Sequence, residues 1–282
     1  MKDSLKKKVE NSLKLIRAFS PNDGSPVEVS YSGGKDSDVI LELTKMADVK
    51  YRAIYKNTTI DPPGTIKHCK DNGVEILQPK MSFLKLIKQK GMPTRRARFC
   101  CDELKEYKVL DYSIQGVRRT ESIARAKRYN EDDPIICRIY GSKINHCNVC
   151  LPILSWTDED IAEFIKVRNI KCHPLYYDER GIFHPERRLG CIGCPLKSDA
   201  GRADYKAYPK LLRQVVKAVC FWWKNHPKSA SVKKFGSPYG LLAHDLFFKS
   251  YQDWQSADYG LFGKTDWLTF LELYFDVKFD KI

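Results

Sequence analysis

The residues best equipped for chemistry fall into two groups. In the stretch Glu28 to Asp38, Glu-Val-Ser-Tyr-Ser-Gly-Gly-Lys-Asp-Ser-Asp, paired glycines sit among hydroxyls, a lysine and aspartates, directly after a short β-like run. Gly33 and Gly34 let the backbone approach an anion closely, and the helix start expected next favours negative charge. Ser32 and Ser37 can donate hydroxyl hydrogen bonds, and Lys35 can neutralise charge. Asp36 suits such a cradle only if it orients the loop or helps to hold magnesium. The spacing is neither that of the Walker sequence nor that of the dinucleotide fingerprint. A plain glycine turn is the bland alternative, but the strand-then-helix context argues for a phosphate site.

The second group is sulfur. Ten cysteines in a chain expected to be cytoplasmic point to metal or redox chemistry rather than disulfides. Cys100 and Cys101 are adjacent, and Cys191 and Cys194 lie ninety residues on in Gly-Cys-Ile-Gly-Cys-Pro. Four thiolates suit either zinc or an iron–sulfur cluster. A further Cys-x-x-Cys, Cys147 and Cys150, together with Cys137, leaves three readings open: a second metal site, replacement of one cluster ligand, or packing in the core. Cys69, Cys172 and Cys220 sit in helical or apolar settings and are expected to be buried thiols. His173 and His184 are expected to be structural.

These groups need a scaffold. The runs 26–32, 51–58, 74–79 and 113–118 read as strands, separated by helical segments with glycine stops at Gly73 and Gly91. Strands alternating with helices imply an α/β fold: a parallel twisted sheet covered by helices on both faces. Leu5, Val9, Leu13 and Ile16 mark a leading amphipathic helix, and residues 102–112 read as helical. Thr157, followed by acids, is a helix N-cap. From about Asp204 the pattern changes to a long apolar helix over 205–227 and an aromatic-rich tail with Gly236, Gly240, Gly260 and Gly263. The expected division is therefore residues 1–200 as the α/β domain and 201–282 as a helical C-terminal extension.

Composition narrows the partners. The chain has 282 residues, and its 43% hydrophobic content is that of an ordinary folded protein. No apolar run is long enough for a membrane helix, and the N-terminus lacks a signal-like core, so a cytoplasmic protein is expected. A net charge of +14, with arginines concentrated at 93–99 and 116–128, fits a polyanionic substrate such as nucleic acid. Oligomeric state is not legible.

Ser-x-Gly-Gly-x-Asp-Ser after the first strand resembles the PP-loop of the ATP pyrophosphatase and phosphoadenosine phosphosulfate (PAPS) reductase superfamily, whose fold is of the adenine nucleotide α-hydrolase type. The stretch 57–63 (Asn-Thr-Thr-Ile-Asp-Pro-Pro) resembles the next motif of that family, and 116–122 (Gly-Val-Arg-Arg-Thr-Glu-Ser) resembles its arginine motif. The likeness covers about residues 26–197 in order. It implies an adenine nucleotide, ATP or adenylyl sulfate/PAPS, held by Ser32 to Ser37 with Thr59, Asp61, Gly116, Arg118, Arg119, Glu121 and Ser122. It implies a four-iron four-sulfur cluster on Cys100, Cys101, Cys191 and Cys194, with Lys105 between cluster and substrate. Lys35, Asp36, Lys105, Arg118 and Arg119 are then the catalytic candidates, with Mg2+ at the phosphates.

Assimilatory reductases of this kind use a cysteine in a C-terminal tail, whereas no cysteine follows Cys220 here. The likeness is stronger to phage and DNA-phosphorothioation members. It implies ATP cleavage between the α and β phosphates and sulfur transfer into nucleic acid, with a cysteine desulfurase as sulfur donor. A sulfonucleotide reductase borrowing its thiol from elsewhere, and a non-catalytic nucleotide- or nucleic-acid-binding regulator, are the alternatives.

Overall fold

The structure is a computed structural model that describes residues 1–140, 146–257 and 266–279; Gly260 and Gly263 lie outside these. Its first half runs α1 (Asp3–Phe19), β1 (Val27–Tyr31), α2 (Lys35–Ala47), β2 (Tyr51–Lys56), α3 (Thr65–Asp71), β3 (Glu75–Leu77), α4 (Phe83–Lys90), α5 (Phe99–Leu104) and β4 (Tyr112–Gln115). Then follow α6 (Ile123–Arg128), β5 (Ile135–Ile139), β6 (His146–Cys150), α7 (Asp158–Arg168), α8 (Arg202–Ala207), α9 (Pro209–Asn225), α10 (Ala230–Phe235), α11 (Pro238–Phe247), α12 (Tyr251–Ser256) and α13 (Trp267–Phe275).

Two compact units emerge, each assembled from separate stretches of chain. One comprises Met1–Asn57, Asp61–Gln78 and Lys105–Gly190; the other comprises Thr58–Ile60, Pro79–Leu104 and Cys191–Ile282.

The first unit is α/β. Its six strands are ordered β3-β2-β1-β4-β6-β5, parallel except at the β5–β6 edge. That antiparallel edge is absent from the sequence reading, and its cause is local. The connection from Ile139 to His146 is too short for the crossover that a parallel pair needs. In β1, Val27, Val29 and Tyr31 are buried, and so is Glu28 on the other face, so both faces of the sheet are covered. Thr157 caps α7 as expected, its hydroxyl accepting from the Asp160 amide at 3.2 Å.

The second unit is helical. Phe83, Leu86 and Ile87 of α4 are buried with Leu212, Val215, Val216 and Val219 of α9 in one core. Two expected helices come out shorter. Helix α5 stops at Leu104, and beyond it the Tyr107 carbonyl accepts from Lys56 Nζ at 2.6 Å instead of closing a helical turn. The long apolar helix is cut between Ala207 and Pro209. Proline removes an amide donor and disfavours helical geometry at Tyr208.

Candidate functional site

In the first unit, the chain turns at the end of β1 and enters α2 through Gly34. Gly33 has φ +80°, and a Cβ there would lie 3.0 Å from Thr65 Cγ2, so the turn needs glycine. Ser37 closes the loop by donating to the Gly34 carbonyl at 2.7 Å. Gly116, just past β4, also needs glycine, since a Cβ would stand 2.9 Å from the Asp36 carbonyl oxygen. The two crossings thus press together at the carboxyl edge of the sheet, where open α/β folds bind ligands.

A cavity of about 290 Å³ opens there, with Ser32, Gly34, Lys35, Asp36 and Ser37 on the loop side. Gly116, Glu121, Arg125 and Arg188 complete it, with Tyr176 beside them. Lys35 is almost wholly buried, its Nζ 3.3 Å from Asp36 Oδ2 and 5.5 Å from the centre of the Tyr176 ring.

The arginines divide by role. Arg118 is 2% exposed and committed to protein partners: Nε to Asp36 Oδ1 at 2.6 Å, Nη2 to Asp158 Oδ1 at 2.7 Å and Nη1 to Thr120 Oγ1 at 3.0 Å. Arg119 pairs with Glu131 at 2.6 Å. Neither borders the cavity; the guanidiniums that do are Arg125 and Arg188. Arg125 is bound to the Glu121 carboxylate, and Arg188 Nη2 donates to the Glu121 carbonyl at 2.6 Å. Burial lowers the pKa of Arg125, and the nearby Arg188 charge adds to that effect. A bound anion would relieve this crowding, and guanidinium forks suit phosphate oxygens.

The remaining predicted residues shape the surroundings. Ser122 caps α6, accepting from the Arg125 amide at 3.2 Å. Glu121 accepts from the Arg118 amide at 3.0 Å. Asp61 takes a hydrogen bond from the Tyr55 hydroxyl, and Lys105 Nζ stands 3.8 Å from its Oδ1. Thr59 belongs to the second unit, where its Oγ1 accepts from the Phe83 amide at 2.9 Å from a left-handed backbone at φ 64°.

Beneath the loop, Asp38 is buried and receives the Tyr31 hydroxyl, with His68 Nε2 at 2.9 Å. Burial raises its pKa. His173 is fully buried, its Nε2 3.4 Å from Thr65 Oγ1, and its pKa is lowered by burial and then by the neighbouring His68. Cys69 and Cys172 are buried here, as expected; burial pushes Cys69 up to about 12. His184, set between Glu186 and Asp178 at 2.9 and 3.3 Å, is structural.

All four candidate cluster cysteines lie in the second unit. Cys100 and Cys191 pack against its core. The Cys100 pKa is raised by a hydrogen bond with Cys101, by burial, and by the negative charge that Cys101, Cys191 and Cys194 would carry, so the four thiols share one neighbourhood. The Gly190–Pro195 turn is held on both sides: Ile192 N donates to Ile60 O at 2.8 Å, and Gly193 N donates to Asp204 Oδ2 at 2.8 Å.

Gly193 has φ +70°, and a Cβ on it would collide with Tyr205. The Tyr205 hydroxyl is fully buried with no partner among the described residues, and its pKa is raised by burial and by charge at Asp204, Cys194 and Cys100. Four thiols in one neighbourhood and an orphaned donor beside them fit a bound group with acceptor atoms, as an iron–sulfur cluster has. Among the described residues, no three His, Cys, Asp or Glu side chains are gathered tightly enough to hold a single metal ion.

Strand β6 decides among the readings of Cys147 and Cys150. Residues three apart on a strand point to opposite faces. Cys147 is buried in the cluster of Tyr140, Val149 and Leu151, and Cys150 in the main core, with burial raising them to about 11 and about 12. Cys137, opposite Asn148, is exposed. A shared metal on these three residues is thereby corrected to core packing of Cys147 and Cys150. Cys220 is likewise buried in α9, and burial pushes it up to about 11, which does not suit a nucleophile.

The family model for the phosphoadenosine phosphosulfate reductase domain matches residues 26–197. This span is more than half the chain, and the chain belongs to that family of PP-loop nucleotide-binding proteins. It is 29% identical over 266 residues to an uncharacterized protein of Methanocaldococcus jannaschii, a match covering 83% of this chain and 61% of that one. The chain spans only 37% to 61% of the length of the first uncharacterized relatives it matches. It is 22% identical to sulfate adenylyltransferase subunit 2 of Rhizobium tropici, over 77% of this chain and 90% of that one. The phosphoadenylyl-sulfate reductase of Candida auris superposes with a TM-score of 0.44 and 14% identity, over 68% of this chain and 96% of that chain. No helix among the described residues is long and apolar enough to cross a membrane.

Proposed function

We propose that the chain binds ATP at the Ser32–Ser37 loop and cleaves it between the α and β phosphates, activating an oxygen of a nucleic-acid substrate for replacement by sulfur. The observation that carries this reading is the glycine-built cavity with Lys35 on one side and Arg125 and Arg188 on the other. Relatives named as sulfate adenylyltransferase subunits support adenylyl transfer as the reaction class. The net charge of +14 supports a polyanionic acceptor.

On this reading, the loop amides and Lys35 take the pyrophosphate, and Arg125 and Arg188 balance charge developing at the α-phosphorus. Arg118 is a positioning residue that fixes the Asp36 carboxylate. Asp36 and the phosphate oxygens would hold Mg2+, which usually binds through one or two carboxylates plus phosphate. The acceptor oxygen attacks the α-phosphorus and pyrophosphate leaves. A sulfur nucleophile then displaces AMP, which departs with the original oxygen. A desulfurase persulfide, reduced by a thiol, would supply that sulfur at the hydrosulfide level. Cys100, Cys101, Cys191 and Cys194 would hold a four-iron four-sulfur cluster, which when bound supplies iron able to take up inorganic sulfur.

The test is anaerobic purification followed by incubation with ATP and nucleic acid, measuring iron content, the visible spectrum and the nucleotide products. AMP and pyrophosphate, lost in Lys35→Ala, are expected. ADP as product, or sulfite released from adenylyl sulfate without ATP, would replace this reading. Nucleotide binding without turnover would leave the chain a regulator.

A further inference from the structure

Outside the nucleotide loop, the second unit carries a larger groove of about 390 Å³. Its wall is one stripe of α9: Arg213, Lys217, Phe221 and Lys224, spaced four, four and three residues apart and so aligned on a single helix face. Val216 and Cys220, both 3% exposed, form the floor, and Lys278 and Phe279 close the far side. Arg213 Nε donates to the Lys278 carbonyl at 3.4 Å, while Lys278 Nζ is occupied by Glu272 at 2.8 Å. Among the described residues, no acidic side chain lines the groove. From α4, Lys88 reaches over the Phe221 ring at 5.4 Å.

Phe221 is the one aromatic ring among the exposed large hydrophobic side chains of the described residues. It is 50% exposed, whereas its helix neighbours Cys220 and Trp222 are buried. Burying an aromatic ring is favourable, and this half-exposed ring, set between cations, is available to stack on a flat partner. Cations alone would accept any polyanion. A ring set among them selects a ligand that is flat and apolar at one point and anionic on either side. An unpaired base with its flanking phosphates has that form. Half of the lining residues are cations, which favours a ligand carrying several phosphates over an acyl chain. From Arg213 to Lys224 the stripe runs about 16 Å along the helix axis, room for a few nucleotides.

We infer that this α9 groove binds single-stranded nucleic acid, with Phe221 stacking a base and Arg213, Lys217 and Lys224 on the phosphates. The inference deepens the nucleic-acid reading above by assigning the substrate a docking surface, and it is tested without nucleotide turnover. Fluorescence anisotropy of the intact protein would be measured with end-labelled single-stranded RNA, single-stranded DNA and a duplex of the same sequence, each across a salt series.

Single strands should bind better than the duplex, and comparison of the RNA and DNA arms identifies the preferred backbone. Phe221→Ala should weaken binding between about five- and a hundredfold, with Phe221→Trp restoring it. Arg213→Gln combined with Lys224→Gln should weaken binding and flatten the log–log salt slope by about one unit for each phosphate no longer neutralised. Lys35→Ala should bind oligonucleotide as the parent does, which separates a failure of this groove from a failure of ATP chemistry. Because Phe221 and the two cations border solvent, unchanged melting curves would show that the variants fold. Unaltered oligonucleotide affinity in the Phe221 and double variants would overturn the inference. So would equal binding of duplex and single strands, or a loss seen only with anionic phospholipid vesicles.

Discussion

Arg118 shows how a site is held rather than made. Its guanidinium is nearly inaccessible and joins Asp36, from the helix after the loop, to Asp158, at the start of α7. Removing one member of a buried pair strands the other charge, so Arg118→Ala should lower stability by about 3 kcal/mol, read as a fall in the melting midpoint. Arg119→Ala, which breaks a half-exposed pair with Glu131, should cost well under 1 kcal/mol in the same assay. In the sequence these two arginines are equivalent candidates for phosphate. That neither borders the cavity depends on the backbone after β4, and no spacing rule carries that. Arg125 was legible only as part of the arginine-rich run 116–128, and Arg188 was not singled out at all, because their convergence is tertiary.

At the scale of single elements, periodicity makes two claims testable. A Cys-x-x-Cys on a helix or a tight turn can converge on a metal, but on β6 the two thiols part to opposite faces. Cys147→Ala and Cys150→Ala should therefore leave iron content and the visible spectrum unchanged, whereas Cys191→Ala should abolish both; anaerobic spectroscopy with iron analysis decides. That β6 was a strand at all was hidden by its short length and by the hairpin that returns it.

The layer beneath the loop predicts a pH response. His173 has its pKa lowered by burial, so below the usual histidine value of about 6.5 the unfolded chain binds the extra proton first. Its contribution to stability is whole above that value and is lost as pH falls toward the lowered one. Asp38, raised by burial, works in the opposite sense: its contribution is whole below the usual carboxylate value of about 3.9 and is lost as pH rises through its folded value. Melting midpoints of wild type and His173→Gln across pH 5 to 7 should differ in slope, with the variant the flatter.

Across the whole molecule, the nucleotide cavity and the four-cysteine group are each built within one unit. Their occupancies should be separable. Cys194→Ser should lose iron yet bind ATP with unchanged affinity by calorimetry, and Lys35→Ala should do the reverse; linked losses would refute independent construction. In the α/β half, β1 to β4 and helices α1, α2, α3 and α7 were readable because period, turn and cap mark them, whereas α6, β5 and β6 were not. The membership of 79–104 in the helical unit was not readable, since Phe83, Leu86 and Ile87 meet Leu212 and Val219 across a long interval of chain.

The Cys-Ile-Gly-Cys turn has one more consequence. Gly201 packs so closely that a Cβ on it would stand 2.5 Å from the Gly193 Cα, and Asp204 ties the turn to both the Gly193 amide and Lys197. Backbone pressed on backbone in this way keeps its shape without help from a guest. Unlike a zinc finger, which collapses when stripped, this turn should survive demetallation as a standing mould. With the proposed cluster bound there, chain synthesis and cofactor insertion would be separable in time, and a chain emptied by oxygen could be refilled instead of being destroyed.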